Sequence, residues 1–240
     1  MRRVLELAGV SKSFGALRVV DDLSVHLDAG EALGIVGPNG AGKTTLFNLI
    51  TGSVPPDSGT IRFDQAGIVT QAPHLRVRSG LGRTYQIPRP LGGMTVFENV
   101  LVAASYGTGT GERDAYEHCV EILADTGLLA KANTLAGSLT ILERKRLELA
   151  RALGTGPTVL LLDEIAGGLT DPEVDELVAL IRRIHAGGMS IMWIEHLLHA
   201  LLAVVERVQA IHFGKHLVEG SPHDIIESPE IREVYLGIEE

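Results

Sequence analysis

The nine residues GPNGAGKTT, positions 37–45, carry the first chemistry legible in this chain. They fit the spacing G-x-x-x-x-G-K-[ST] and lie between an apolar run that reads as a strand and a segment that reads as a helix. Glycines at 37, 40 and 42 let successive backbone N–H groups turn inward and converge on phosphate oxygens. A helix beginning near Gly42 adds the positive end of its dipole. The cradle so defined comprises Gly37, Pro38, Asn39, Gly40, Ala41, Gly42, Lys43, Thr44 and Thr45. Lys43 is placed to reach the β- and γ-phosphates of a nucleoside triphosphate, and the Thr44 hydroxyl to ligate Mg2+.

A second group stands far along the chain, where VLLLDE ends an apolar run with Asp163 and Glu164. Carboxylates at the carboxyl end of a buried parallel strand sit where ligands bind in such sheets. Asp163 is then a Mg2+ ligand, commonly through water, and Glu164 a general base that polarises an attacking water. Alone, the pair would read as two solvated acids at a strand end. The intact phosphate cradle favours the catalytic reading.

These groups need elements to hold them. Short apolar segments bounded by glycine and aspartate read as strands at 3–10, 17–27 and 31–37. A helix follows the cradle and stops at Gly52, and a turn and strand follow it. From 66 to 111 glycine and proline punctuate a pattern that reads as loops, with Gly107, Gly109 and Gly111 in an exposed flexible loop. Helices are expected at 112–126, 140–153, 171–186 and 196–206, and strands at 158–164, 189–194 and 207–213. The unbroken apolar run before Asp163 suits a strand covered on both faces of a parallel sheet. The alternation of strand and helix is a βαβ rhythm.

The 240 residues are 45% hydrophobic, enough for one large or two small packed units. A net charge of −9 argues against a nucleic-acid groove, so no nucleic-acid partner is expected. Arg76, Arg78 and Arg83 are a local exception, read as a solvated loop with an anion contact as the alternative. The single cysteine, Cys119, excludes an intramolecular disulfide and keeps helical step with Ala115, Ile122 and Leu123, as a small core residue would. The opening MRRVLELAGV lacks the apolar run of a signal peptide, and no window approaches the roughly 18 apolar residues of a membrane span. The expectation is a soluble chain that reaches a membrane by gripping another protein.

Along nearly its whole length the chain resembles the ATP-binding cassette (ABC) ATPases. Gln86 in GRTYQ lies where that family has a glutamine linking the γ-phosphate and Mg2+ to the membrane partner. His196 in IMWIEH follows an apolar strand as the family's switch histidine does, and Phe14 in VSKSFG lies where the family stacks an aromatic on adenine. His199 one turn on would suggest a histidine metal pair, but no third ligand is evident. The resemblance implies an α/β fold: a P-loop NTPase core with an antiparallel β subdomain and a helical subdomain. The single ABC domain then divides into 1–86 plus 154–240, the core with its β subdomain, and 87–153, the helical subdomain. ATP and Mg2+ are the implied cofactors. GRTYQ, MTVFENVLVA and the tail EGSPHDIIESPEIREVYLG resemble the ATPase subunits of high-affinity branched-chain amino-acid importers. Relatives of those subunits serve other small solutes, and the alternatives are the ATPase of a lipid-type exporter, which looks much the same, or a non-transport ABC ATPase. The implied partners are a second cassette, transmembrane permeases docked near 86–100 and, indirectly, a solute-binding protein. The implied location is the cytoplasmic face of the inner membrane, peripherally bound.

One slot departs from the family. Its L-S-G-G-Q signature, which covers the γ-phosphate held by a facing cassette, is here Leu139, Thr140, Ile141, Leu142 and Glu143. Thr140 keeps the hydroxyl, and with Glu143 forms a capping box that starts a helix. Both glycines, which permit close backbone approach, are replaced by bulkier residues; a subfamily habit that tolerates activity is the competing reading. Thr170 likewise replaces an aspartate in a loop that crosses between cassettes; an ordinary helix N-cap is the competing reading. The groups acting within the chain are intact, and those acting on a partner are altered. A non-identical partner cassette is therefore expected.

Overall fold

The computed structural model describes residues 2–109 and 111–236. Two long strands, β1 (Arg3–Phe14) and β2 (Leu17–Asp28), alternate buried and exposed side chains, the pattern of a sheet with one covered face. They join β4 (Ser58–Phe63) and β5 (Ala66–Gly67) in an antiparallel sheet ordered β2-β1-β4-β5. By contrast β3 (Ala32–Val36), β7 (Val159–Asp163) and β8 (Ser190–Ile194) are buried at every position. They form the centre of a second sheet, completed by β6 (Leu81–Arg83), β9 (Arg207–His212) and β10 (Lys215–Gly220) in the order β10-β9-β3-β8-β7-β6. All its neighbours are parallel except the edge strand β10. The fold is thus the expected α/β core with an antiparallel β layer.

Helices fill the spaces around these sheets. Between them, α1 (Lys43–Thr51) buries Leu46, Phe47, Leu49 and Ile50 in a core shared with both. On the other face of the parallel sheet, α6 (Asp171–Ala186) contributes Val174, Leu177, Val178 and Ile181 to a second core around Trp193. A third cluster joins α3 (Val96–Thr108), α4 (Glu112–Asp125) and α5 (Ile141–Gly154), the helical subdomain. Cys119 lies buried within it beside Ala115, Ile122 and Leu123, as its spacing predicts. No helix among the described residues is long and apolar enough to cross a membrane.

Residues 66–111 depart most from the sequence expectation. They hold α2 (Pro73–Arg78), β6 and α3 rather than loops. Thr95 and Glu98 form a capping box that starts α3, and Val96, Val100 and Ala104 recur at helical spacing behind the glycines and prolines of 88–93. Gly107 is inside that helix, where a β-carbon would come 2.6 Å from the Thr155 Cα. Gly109 and Gly111 are caps on either side of Thr110, which lies outside the described residues, as does Gly237 of the tail. The expected solvated arginines are also corrected. Arg76 is only 1% exposed. Its guanidinium donates to the carbonyls of Leu49 and Ile50 at 2.8 Å, satisfying acceptors at the C-terminus of α1. Arg78 alone of the three is exposed. The helix expected over 196–206 shrinks to α7 (Leu198–Leu202). The N–H groups of His196 and Leu197 turn to the Glu195 carboxylate instead of into a helix. The chain ends in α8 (Pro222–Glu227) and α9 (Pro229–Leu236).

Candidate functional site

The phosphate cradle is built where β3 delivers the chain to α1. Gly37 and Gly42 hold φ of 154° and 100°. A β-carbon would meet the Ile211 carbonyl at 2.2 Å at the first and the Val19 carbonyl at 2.6 Å at the second. Backbone from two other strands therefore wraps the loop, and only glycine fits either place. Gly214 in the turn from β9 to β10 donates its N–H to Ala41 at 3.0 Å, fixing the outer side.

Lys43 is buried and its ammonium folds onto the loop's own carbonyls, 2.7 Å from Gly37 O and 3.0 Å from Pro38 O. Burial pushes its pKa down; the charges of Glu164 and Asp163 pull the other way. An open cavity of about 280 Å3 is lined by the expected Asn39, Gly40, Ala41, Gly42, Lys43, Thr44 and Thr45, together with Gln86, Glu164 and Val19. Val19 had no signal in the sequence beyond its place in a strand.

Glu164 is the meeting point of the catalytic candidates. One carboxylate oxygen, Oε1, contacts His196 Nε2 at 2.8 Å, and the other, Oε2, accepts from Gln86 Nε2. Residues far apart in sequence thus converge on one carboxylate. The Glu164 backbone has φ +47°, a sparsely populated region for a residue other than glycine. Its N–H bonds to the Ile194 carbonyl at 2.8 Å, which keeps the side chain at the end of β7 next to β8 and His196.

Asp163, one residue earlier, lies in a different environment. It is buried, and Arg83 donates from Nη2 to its Oδ2 at 2.7 Å. Desolvation raises the Asp163 pKa and the Arg83 guanidinium opposes the rise. Arg83 also reaches Asn48 Oδ1 at 2.8 Å and lies 4.9 Å from the Tyr85 ring centroid. So Arg83 is a buried counter-ion rather than a solvated loop residue, because β6 places it beside β7. A strand-like LGR ending three residues before Gln86 was the available signal. The remaining oxygen, Asp163 Oδ1, is buried with no hydrogen-bond partner among the described residues. Such an acceptor fits a cation or a cation's water, and with the Thr44 hydroxyl it makes a donor set of hard oxygens suited to Mg2+.

Two expected residues stand apart from this cluster. The Phe14 ring is half exposed at the end of β1, with Lys12 Nζ 5.7 Å from its centroid, and it does not line the cavity. Thr140 caps α5 as the sequence predicts: Glu143 N–H donates to its hydroxyl at 3.4 Å, and its own N–H donates to Glu143 Oε2 at 2.9 Å. Lys131 holds the other Glu143 oxygen at 2.6 Å. That hydrogen bond is the main cause of the lowered Glu143 pKa. Ile141, at the first glycine slot, is 59% exposed. Thr170 forms the competing N-cap arrangement, its N–H donating to Glu173 at 2.9 Å at the start of α6.

The chain is similar to known proteins along nearly its whole length. The family described as ABC transporter matches residues 20–167. The branched-chain amino acid transport ATP-binding protein BraF of Pseudomonas aeruginosa is 34% identical, covering 98% of each chain. The lipopolysaccharide export ATP-binding protein LptB of Acidithiobacillus ferridurans is 38% identical over 99% of this chain and 98% of its own. Among solved structures, the ATP-binding cassette MJ1267 in its ADP conformation superposes with a TM-score of 0.91 at 27% identity, covering 99% of this chain and 100% of that one.

Proposed function

This chain belongs to the ABC transporter family as an ATP-hydrolysing subunit, and we propose that it powers an importer of branched-chain amino acids or related small solutes. Full-length similarity to BraF carries the choice of cargo class. The similarity to LptB favours a second reading, export of lipid-like material. Reconstitution with the cognate permeases separates them. Import predicts ATPase stimulation by a solute-binding protein loaded with leucine, isoleucine or valine; stimulation by lipopolysaccharide-like lipid alone would favour export.

Within the site we assign the cradle at 37–45 to the ATP phosphates, with Lys43 releasing its contacts to Gly37 and Pro38 to meet them. Thr44 and Asp163 Oδ1 would hold Mg2+, while Arg83 retains Oδ2 and so orients the other oxygen. Bound Mg2+ supplies positive charge against the phosphate oxygens. Gln86 joins this group from the permease-facing loop, and Phe14 packs on the adenine. Glu164 takes the proton of the attacking water as its oxygen bonds to the γ-phosphorus and the bond to the bridging oxygen breaks. His196, on Glu164 Oε1, positions that carboxylate. Residues 87–153 form the helical subdomain beside 1–86 plus 154–240, at the cytoplasmic face of the inner membrane, peripherally bound to permeases.

The single observation behind this assignment is that Gln86, Glu164 and His196 converge at the mouth of the cradle. Glu164→Gln is the test: turnover falls by roughly 10²–10⁴ while ATP still binds. Parent-like turnover in that variant would overturn the assignment. The partner cassette we infer to be non-identical, because Ile141 occupies the first glycine slot of the signature. Thr140 still caps α5, so the helix forms and only its approach to a facing phosphate is obstructed.

A further inference from the structure

Lys145 lies in the second turn of α5, is 5% exposed, and takes part in no step described above. Burial pushes its pKa down, opposed by the negative charges of Glu195, Glu164 and Glu148. A buried ammonium is expensive unless its donors are used. Here they are used on two backbone carbonyls: Gln86 O at 3.0 Å and Glu164 O at 3.5 Å. These belong to the two residues whose side chains meet. Both segments need holding, because Glu164 sits at φ +47° and the Gln86 side chain is exposed on a loop.

The opposite side of the same segment is held in a matching way. Glu195, 1% exposed, accepts the His196 N–H at 2.9 Å on one oxygen and the Ala166 N–H at 3.1 Å on the other. The backbone after Glu164 is therefore tied to β8, while its own carbonyl is tied to α5. Packing alone does not explain a lysine here, since a methionine would fill similar space without the desolvation cost.

We propose that Lys145 is a positioning residue for ATP hydrolysis. From α5 it holds the backbones of Gln86 and Glu164 in the register where their side chains meet, and so links the signature end of the helix to the base within one chain. The inference rests on the assignment of Glu164 as that base.

The test compares Lys145→Met and Lys145→Gln with the parent and with Glu164→Gln, in whichever assembly turns ATP over, the chain alone or the complete transporter. Lys145→Met removes charge and donors; Lys145→Gln keeps N–H donors on a shorter stem. Turnover number, KM for ATP and Tm are measured together. The expected result is at least a tenfold fall in kcat for Lys145→Met, with KM within twofold of the parent and Tm equal or higher. Lys145→Gln recovers at least threefold of that loss. A rate loss that follows a fall in Tm, equal losses in both variants, or parent-like turnover in Lys145→Met would each overturn the proposal. Glu164→Gln distinguishes the two ways of failing. If it is silent while Lys145→Met is active, the positioning role falls and the base assignment stands. If Glu164→Gln is itself active, both fall.

Discussion

Two adjacent carboxylates in the same strand end have been given different work by their neighbours. Asp163 is buried against Arg83, whereas Glu164 faces the cavity with Gln86 and His196 on its two oxygens. Removing Arg83 would leave a buried carboxylate without its counter-ion, which typically costs about 3–5 kcal/mol. Arg83→Met should therefore lower unfolding stability by that amount in denaturant titration, and adding Asp163→Asn should recover more than half of it. Recovery identifies charge pairing rather than packing as the cause. Sequence alone made Asp163 and Glu164 visible; for Arg83 it offered a short strand-like LGR, but not the identity of the strand that would lie beside it.

At the scale of elements, α5 keeps the capping job of the signature motif, and the loss of its contact with a facing cassette is our proposal. Its capping box closes with Thr140 and Glu143, and Lys131 balances the carboxylate. Thr140→Ala should cost about 1 kcal/mol of stability by loss of the cap, measured as a shift in the denaturation midpoint. The proposed contact with a facing cassette would depend instead on the next two residues, Ile141 and Leu142. Replacing Ile141 and Leu142 with glycine together should raise ATP turnover of the chain on its own, at a helix cost of roughly 1 kcal/mol per residue. Unchanged turnover in that variant, with ATP still bound, would place the obstacle elsewhere. The capping box was readable from residue types three apart. The true extent of α3 was not, because glycines and prolines just before it masked a helical apolar spacing. The shortening of α7 was equally hidden, since it depends on the Glu195 side chain competing for backbone N–H groups.

The whole molecule is joined by a polar seam between its two sheets. Arg207 on β9 donates to Glu31 at 2.6 Å and to the His26 carbonyl on β2 at 2.8 Å, and Gln209 reaches the Ser24 carbonyl at 3.0 Å. Partial burial acts to raise the Glu31 pKa, but the Arg207 hydrogen bond, the Asp28 N–H and the Arg207 charge together outweigh it, and the carboxyl is held below its ordinary value. A carboxyl lowered on folding contributes stability above its unfolded pKa, and that contribution is lost as pH falls through the folded value. Arg207→Met should destabilise the protein by about 2–3 kcal/mol at neutral pH, and should flatten the loss of stability as pH falls below the ordinary glutamate value of about 4.3. Unfolding titrations across that range measure both effects. The sequence by itself determined the phosphate cradle, the carboxylates at the end of β7, the α/β rhythm and the buried face of α4. These depend on local spacing: a glycine pattern, an apolar run, a helical period. Only the tertiary structure decided that Gln86 and His196 meet on Glu164, that Arg83 neutralises Asp163, and that Lys145 reaches the carbonyls of Gln86 and Glu164. Those contacts follow from the parallel order of β6, β7 and β8 and from the docking of α5 beside them. Strand order in a sheet is set by long-range packing, for which spacing along a chain carries no signal.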